Sequence, residues 1–439
     1  MSKTNYPIDK VRELQRALYR SAKRSATRIF HALYDKVCRM DILERAWKEV
    51  KANRGVSGVD RQTIQDIEDQ GVKEFLTQIR QELLEGHYRP QPVRRVYIPK
   101  PDGRQRPLGI PVVRDRVVQA AIKIVIEPIF EADFQPCSFG FRPKRSAQDA
   151  NEVIRQIANR GYNWVVDTDI KSYFETIDHD KLMTMVEKRI SDRRVLKLIR
   201  KFLKAGILEE GTVRTSTSGT PQGGVVSPLL ANIYLNYLDR IWREQCEGIG
   251  VLVRYADDLI TLCRTKRDAK EALRRLELLM KRLRLQLHPD KTRLVNLEEG
   301  HEGFDFLGFH HRKVRSWRYQ RYYLQRWPRR KAMKAIREKI RSIVGHRNVL
   351  NWSLREVIDA LNPVLRGWGN YFSAGNSSRQ FQKIDSYVKE RLYLYLSKKH
   401  AKSGRGWNTR WRHIDFRAEG LHHLSGTIKW HTYTVNVFG

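Results

Sequence analysis

The strongest constraint on the fold comes from aspartates placed inside apolar, β-rich segments. Residues 164–174 read Trp-Val-Val-Asp-Thr-Asp-Ile-Lys-Ser-Tyr-Phe, which predicts a strand that ends near Asp169. Residues 251–262 contain two β-rich runs around a short polar turn. This pattern predicts a hairpin with Asp257 and Asp258 at its tip. Because a carboxylate at the end of a buried strand is costly unless it is paired or binds a metal, both segments are expected to have special partners.

The two acidic segments predict one site for phosphoryl transfer. Asp169 and Asp257 are 88 positions apart, and two strands at that separation are expected to converge in one sheet. Clustered carboxylate oxygens bind Mg²⁺. Two such ions, ~3.5–4 Å apart, activate an attacking hydroxyl and stabilise the leaving oxygen. The alternative is that Asp257 and Asp258 form an ordinary turn and that Asp169 caps a helix.

The net charge favours the catalytic interpretation, because it indicates a polyanionic partner. The chain has 439 residues, with 84 Lys and Arg against 49 Asp and Glu, a net charge of +35. A fold with this charge repels itself unless a polyanion neutralises it. Residues 311–439 carry 28 Lys and Arg against 7 Asp and Glu, and seven of the ten tryptophans. Basic residues among aromatic ones are typical of a nucleic-acid surface, whereas a helical domain with a solvated basic face is the alternative.

Periodicity predicts mainly helical segments at 9–50 and 315–400, with a mixed α/β region between them. A helix is predicted near 268–287, and Asn362 with Pro363 is predicted to begin another one. Residues after 402 are predicted to form a small loop-rich unit. The four cysteines form no C-x-x-C pair, and no apolar run approaches 18 residues. A reducing, cytoplasmic setting without a membrane partner is therefore expected.

Several motifs occur in a fixed order between about residues 50 and 400. They are Tyr97-Ile98-Pro99-Lys100, Arg106-Pro107-Leu108-Gly109-Ile110-Pro111, Ser138-Phe139-Gly140-Phe141-Arg142-Pro143, Asp169-Ile170-Lys171, Gly219-Thr220-Pro221-Gln222-Gly223-Gly224, Tyr255-Ala256-Asp257-Asp258, Leu287-His288-Pro289-Asp290-Lys291-Thr292 and Phe306-Leu307-Gly308-Phe309. This series resembles the reverse transcriptase/maturase proteins encoded by bacterial group II introns, in the form that lacks an HNH endonuclease domain.

The resemblance implies an α+β, right-hand polymerase with fingers, a palm built on an antiparallel sheet, and a helical thumb or maturase X domain. The implied domains are an N-terminal basic helical extension (1–48), fingers (49–162 with 179–215) and palm (163–178 with 216–314). They are followed by the thumb/X domain (315–398) and a small basic C-terminal unit that binds DNA or RNA (399–439).

The resemblance also implies roles for individual residues. Asp169, Asp257 and the backbone carbonyl of Ile170 would bind two Mg²⁺ ions, for which Mn²⁺ can substitute, and Asp258 would support the turn. Lys291 would protonate the pyrophosphate leaving group.

Further implied roles concern the nucleotide and the nucleic acid. Lys100 and Arg106 would bind the triphosphate of a dNTP, with a point charge and a planar fork suited to phosphate oxygens. Phe174 would block a ribose 2′-OH, and the nucleotide pocket would be lined by Ile170, Gln222 and Gly223. The nucleic-acid contacts expected from the basic residues are Arg142, Arg330, Lys334, Arg337 and Arg341.

The implied function is RNA-directed DNA synthesis by a two-metal mechanism, together with binding of a group II intron RNA to assist splicing and retrohoming. The implied partners are the intron RNA, an RNA template with a DNA primer, target DNA and dNTPs. Without an HNH domain, the protein is expected not to cut a second DNA strand. Two alternatives stay open: a splicing cofactor with no polymerase role, and a domesticated reverse transcriptase in host defence or repair.

Overall fold

The computed structural model describes residues 9–99, 105–209, 212–214, 219, 223–401 and 406–433. The chain packs into two compact units. The first contains residues 1–145, 168–259 and 271–292, and the second contains 146–167, 260–270 and 293–439. None of the helices in the described part of the chain is long and apolar enough to cross a membrane.

Helices make up most of the regular structure. They are α1 Lys10–Arg24, α2 Tyr34–Val37, α3 Met40–Ala52, α4 Ile64–Gln70, α5 Val72–Glu85, α6 Val113–Glu131, α7 Ala147–Asn159, α8 Tyr173–Thr176, α9 His179–Glu187, α10 Arg193–Leu203, α11 Ser227–Gln245, α12 Lys266–Arg282, α13 Arg330–Val344, α14 Leu354–Phe372, α15 Ser378–Lys399 and α16 Trp407–Arg410.

The strands form three sheets. They are β1 Val93–Pro99, β2 Gln105–Ile110, β3 Trp164–Asp169, β4 Ile207–Glu209, β5 Thr212–Arg214, β6 Val251–Tyr255, β7 Asp258–Cys263, β8 Arg293–Asn296, β9 Gly303–Phe306, β10 Phe309–Arg315 and β11 Tyr322–Pro328. The strand orders are β2-β1-β4-β5, β6-β7-β3-β8 and β11-β10-β9. This combination of helices with largely antiparallel sheets is the α+β class expected from the sequence.

The core of the first unit is built around α6. This helix is apolar on nearly all sides and is buried along most of its length, against α1 and α3. Asp115, Arg116 and Gln119 are its buried polar residues. Asp115 accepts hydrogen bonds from the Tyr88 hydroxyl and from the Gln91 backbone N–H. Burial raises the pKa of Asp115 to about 6. The partners of Asp115 therefore satisfy a carboxyl that would otherwise destabilise the core.

The sheet β6-β7-β3-β8 carries the acidic residues. The predicted hairpin is confirmed: β6 and β7 are neighbours, and the turn between them is Ala256–Asp257. Strand β3 pairs antiparallel with β8. This arrangement places the end of β3 and the start of β7 in one sheet, as the two apolar segments predicted.

The second unit contains the sheet β11-β10-β9 and a helical core. Helix α13 buries Met333, Ile336, Ile340 and Val344, and its basic residues fall largely outside this stripe. Helices α14 and α15 contribute apolar residues to the same core. Helix α13 therefore packs its apolar stripe into this core.

The prediction that Asn362 and Pro363 begin a helix is wrong. Helix α14 begins earlier, where Ser353 and Glu356 form a capping box, and Pro363 lies inside it. The Asn362 side chain has tertiary partners, because its amide donates to the Gly420 carbonyl and its oxygen accepts from the His422 N–H. The Asn362-Pro363 pair therefore lies in the middle of α14, and the capping box determines where this helix begins.

Two further boundaries differ from the sequence predictions. The helix predicted near 268–287 ends at Arg282, and Arg284 has a left-handed backbone with φ of 54°. The segment 406–433 has little regular structure, as expected, but Phe416, Leu421 and Leu424 belong to the core formed by α13, α14 and α15. The segment 406–433 therefore packs as an extension of the core formed by α13, α14 and α15.

Candidate active site

Three carboxylates lie together at the ends of β3 and β6 and the start of β7. Burial, followed by electrostatic repulsion from Asp257 and Asp169 and a hydrogen bond with Asp169, raises the pKa of Asp258 to about 7. The Asp258 residue also keeps an exposed surface, so water screens part of this repulsion. The structure therefore brings together the two acidic segments identified in the sequence.

The Leu287–Thr292 motif closes one side of this cluster. The Asp169 backbone carbonyl accepts from the His288 N–H at 2.7 Å, and Ile170 forms an isolated antiparallel bridge with Leu287. A short 3₁₀ turn then brings Lys291 into an ion pair with the Asp169 carboxylate. The structure thus places Lys291 beside the acidic cluster.

The Ser138–Pro143 motif supports the acidic hairpin through its backbone. The Phe139 N–H donates to the Arg254 carbonyl, and the Arg254 N–H donates to the Cys137 carbonyl, each at 2.8 Å. A Cβ at Gly140 would lie 2.5 Å from the Ala256 nitrogen, so only glycine fits there. Ala256 itself has φ of 56°, a conformation that is uncommon outside glycine. The Ser138–Pro143 motif therefore supports the strained turn at Ala256, at the end of β6.

Arg254 supports the acidic turn but was not among the residues predicted from the sequence. Its buried guanidinium donates to both oxygens of Asp239 at 2.8 and 2.5 Å, and to the Asn232 side-chain oxygen at 3.0 Å. The same group donates to the Ala256 carbonyl at 3.0 Å and to the Ser138 hydroxyl at 2.7 Å. One side chain therefore links α11, the Ser138 motif and the acidic turn. Its position inside an apolar strand was the available signal, the same one that identified the aspartates.

Phe174 lies on α8, the short turn after β3. Its side chain is half-buried, and its ring centroid is 5.5 Å from that of Tyr173. Tyr173 is buried and donates to the Ala231 carbonyl at 2.6 Å, so its side chain packs inward. Gly219 has φ of 88°, and a Cβ there would lie 2.9 Å from the Phe174 carbonyl oxygen. The glycine of the Gly219–Gly224 motif thus packs against the turn that carries Phe174.

Two family models match the chain. Residues 98–311 match "Reverse transcriptase (RNA-dependent DNA polymerase)" and residues 333–412 match "Group II intron, maturase-specific domain". Protein YkfC of Escherichia coli (strain K12) is 36% identical over 338 residues, which cover 69% of this chain and 84% of YkfC. The chain belongs to the group II intron reverse transcriptase/maturase family. As a member of this family, the protein is an RNA-directed DNA polymerase.

Other relatives match over shorter segments. The group II intron-encoded protein LtrA of Lactococcus lactis subsp. cremoris is 41% identical over 222 residues, which cover 50% of this chain and 37% of LtrA. A solved structure described as a partial Cas6-RT-Cas1–Cas2 complex is 23% identical and covers 57% of this chain and 42% of its own, with a TM-score of 0.36.

The predicted nucleotide-binding residues of this reverse transcriptase are described only in part. Lys100 and Gln222 lie outside the described residues. The backbone of Arg106 pairs with Ile98 in the β1–β2 hairpin, and its side chain is outside the description. Gly223 has φ of 118°, and a Cβ there would lie 2.4 Å from the Gly109 carbonyl oxygen. Gly223 thus permits a close approach to β2.

The residues predicted to contact nucleic acid divide into two groups. Arg142 is buried, with an ion pair to Glu131 and hydrogen bonds to the Gln135 and Ser138 carbonyls, so its guanidinium is engaged within the protein. This differs from the surface role expected for it, because the motif uses the arginine to fix its own loop. In contrast, three of the four basic residues predicted on α13 are exposed and Arg337 is half-buried. The exposed ones are Arg330, Lys334 and Arg341.

The metal-ligand prediction fits the donor atoms at this site. Two carboxylates and the Ile170 carbonyl are hard oxygen ligands of the kind that Mg²⁺ prefers. Within the described residues, no group of three or more His, Cys, Asp or Glu side chains forms a metal-binding arrangement. The predicted set requires only two such side chains. Burial and then repulsion between the carboxylates raise the pKa of Asp258, and a bound cation relieves that repulsion.

Proposed function

We propose that the acidic cluster is the reaction centre for RNA-directed DNA synthesis by a two-metal mechanism. The observation that carries this proposal is the convergence of Asp169, Asp257 and Asp258, where burial, followed by repulsion from the other two carboxylates, raises the pKa of Asp258 to about 7. Asp169, Asp257 and the Ile170 carbonyl would hold two Mg²⁺ ions, with Asp258 supporting the turn. When bound, the ions supply Lewis acidity and charge neutralisation.

The protein's own groups perform the remaining tasks. The Arg254 guanidinium orients the acidic turn through the Ala256 carbonyl and is a positioning residue. Lys291, paired with Asp169, supplies a proton to the pyrophosphate leaving group as general acid. Because half of the Lys291 side chain is exposed, bulk water can reprotonate it between cycles.

The incoming dNTP would lie between two sets of residues. Lys100 and Arg106 bind its triphosphate, because phosphate oxygens match an ammonium and a guanidinium. Phe174 excludes a ribose 2′-OH by its volume and by offering no hydrogen-bond partner. Gln222 and Gly223 line the pocket, and the contact of Gly223 with β2 ties that lining to the strand that carries Arg106.

The second unit would bind the group II intron RNA and so assist splicing and retrohoming. The maturase-domain match covers residues 333–412, and residues 311–439 carry 28 Lys and Arg against 7 Asp and Glu. Exposed cations on α13 would contact RNA phosphates, with a strong dependence on salt. The RNA template with its DNA primer, and the target DNA, are the further nucleic-acid partners of the proposed reaction.

Primer extension on an RNA template with dNTPs and Mg²⁺ tests the reaction centre. Asp257→Asn should lower synthesis by about 10³-fold or more, equivalent to ~4 kcal/mol of activation free energy, and leave RNA affinity nearly unchanged. Asp290→Asn is the matched control, because it makes the same change in the Leu287–Thr292 motif at a side chain that is 88% exposed. Wild-type synthesis by Asp257→Asn would show that the metal assignment is wrong.

A further inference from the structure

The turn between β10 and β11 exposes an unusual concentration of aromatic rings. Residues 315–323 read Arg-Ser-Trp-Arg-Tyr-Gln-Arg-Tyr-Tyr, with four aromatic residues, three arginines and no acidic residue. We call this segment the hairpin tip. Trp317 is 92% exposed and Tyr319 is 68% exposed, and Tyr322 and Tyr323 are also exposed. An indole with so little contact contributes almost nothing to folding by burial.

The hairpin tip is an ordered turn. The Ser316 N–H donates to the Arg321 carbonyl at 2.8 Å, and the Gln320 N–H donates to the Ser316 carbonyl at 2.9 Å. The Ser316 hydroxyl accepts from the Tyr319 N–H, and the Gln320 side chain donates to the Trp317 carbonyl at 2.7 Å. These bonds fix the backbone beneath Trp317 and Tyr319 while leaving both rings in water. A ligand would therefore meet rings that are already positioned.

The arginines of the hairpin tip are available for an anion. Arg315, Arg318 and Arg321 are exposed, and within the described part of the chain none of them forms an ion pair. The Arg318 guanidinium lies 5.5 Å from the centre of the Tyr319 ring. Cations set between flat, exposed rings match a ligand that alternates anionic groups with flat apolar ones.

We propose that the hairpin tip binds single-stranded RNA, with unpaired bases stacked on Trp317 and Tyr319 and phosphates contacted by Arg315, Arg318 and Arg321. This inference rests on the proposed RNA-binding function of the second unit and adds a specific contact to it. Single strands are favoured over duplexes because stacked pairs do not offer their ring faces. The excess of arginine over acidic residues favours a polyanion over an apolar protein surface.

The test measures binding of the full-length protein to a fluorescently labelled 20-nucleotide oligouridylate and to an RNA duplex of equal length. Trp317→Ala should weaken oligouridylate binding by about fivefold or more, in keeping with the loss of one base-stacking contact, and change duplex binding by less than about twofold. Trp317→Phe keeps a ring and should bind within about twofold of the wild type. Leu278→Ala, at an exposed apolar side chain on α12, is the control for surface truncation.

Binding by a second ring variant and primer extension by all tip variants test the proposal further. Tyr319→Ala should weaken oligouridylate binding by about twofold or more, so the surface is tested even where one variant folds poorly. Primer extension at saturating primer–template should be unchanged in every tip variant, which separates this proposal from the assignment of the reaction centre. Unchanged oligouridylate affinity in both alanine variants, or equal losses on single strand and duplex, would overturn the stacking proposal.

Discussion

The β6–β7 and β10–β11 hairpins have opposite chemistry at their tips and opposite surroundings. The first presents Asp257 and Asp258, and it is held by the buried Arg254 and by the backbone of the Ser138 motif. The second presents Trp317 and basic residues, and hydrogen bonds within its own turn hold it while its rings stay in solvent. Both turns are ordered, but only the first is ordered by tertiary contacts.

This difference follows from what each tip is proposed to do. Phosphoryl transfer requires atoms held to a fraction of an ångström, so the acidic tip needs a rigid support. Binding of a flexible polyanion requires exposed charge and ring faces, and its free energy is spread over many weak contacts. Changes near the acidic tip should therefore cause large losses, whereas changes on the basic surface should cause graded ones.

The largest effect is expected at the buried pair that supports the acidic tip. Arg254→Met leaves Asp239 buried without its cation, so the free energy of unfolding should fall by about 3–5 kcal/mol, as chemical denaturation would measure. Primer extension should be lost as well, because the Ala256 carbonyl loses its donor.

A double variant separates stability from positioning. Asp239→Leu with Arg254→Met removes both charges and should recover most of the free energy of unfolding. It should stay inactive, because the hydrogen bonds of Arg254 to Ala256 and Ser138 are still missing. Wild-type synthesis by the double variant would mean that the pair contributes to stability alone.

An intermediate effect is expected at Phe174, whose ring is proposed to exclude ribonucleotides. Phe174→Val should lower the ratio of kcat/KM for dNTP over rNTP by roughly tenfold, about 1.4 kcal/mol, because the clash with a 2′-OH is removed. Tyr173→Phe is the control for packing: it loses the bond to the Ala231 carbonyl and about 1 kcal/mol of stability, with no change in the ratio. If Phe174→Val slows both substrates alike, the ring has a packing role only.

The smallest effect is expected on the exposed face of α13. Replacing both Arg330 and Lys334 by Gln should make the slope of log affinity for RNA against log salt shallower by about 1.4–1.8, the value for two lost phosphate contacts. The pair Arg193→Gln and Lys197→Gln on α10 has the same spacing and is also exposed, and it should leave the slope unchanged. Equal slopes for the wild type and the α13 variant would place the RNA contacts elsewhere.

The elements that carry the site could be predicted where a short stretch of sequence determines them. The acidic hairpin follows from apolar alternation on both sides of a polar turn, and the face of α13 follows from the spacing of Met333, Ile336 and Ile340. Motif order predicted the family, and the aspartates in apolar strands predicted the convergence of residues 169 and 257. These features depend on neighbours in sequence or on a pattern shared by a whole family.

The features that were missed depend on distant partners. The apolar strand around Arg254 marks it as unusual, but its partner Asp239 lies on α11 and cannot be identified from the local sequence. Pro363 predicts a helix start by its own propensity, but the capping box ten residues earlier determines it. Arg142 appears basic and exposed in sequence, whereas Glu131 and two backbone carbonyls bury it. Tertiary hydrogen bonds override local preference at Arg254 and Arg142, whereas a stronger local cap determines the start of α14.

We propose that the acidic cluster carries out DNA synthesis and that the basic surface of the second unit binds RNA. The most direct test uses one variant, Asp169→Ala, and compares its primer extension with its in vitro splicing of a group II intron RNA. Splicing is measured at a moderate Mg²⁺ concentration where that RNA alone folds poorly. We expect primer extension to be lost while the splicing rate stays within about twofold of the wild type, since the cations proposed to bind phosphate are unchanged. Loss of both activities in a correctly folded variant would contradict it.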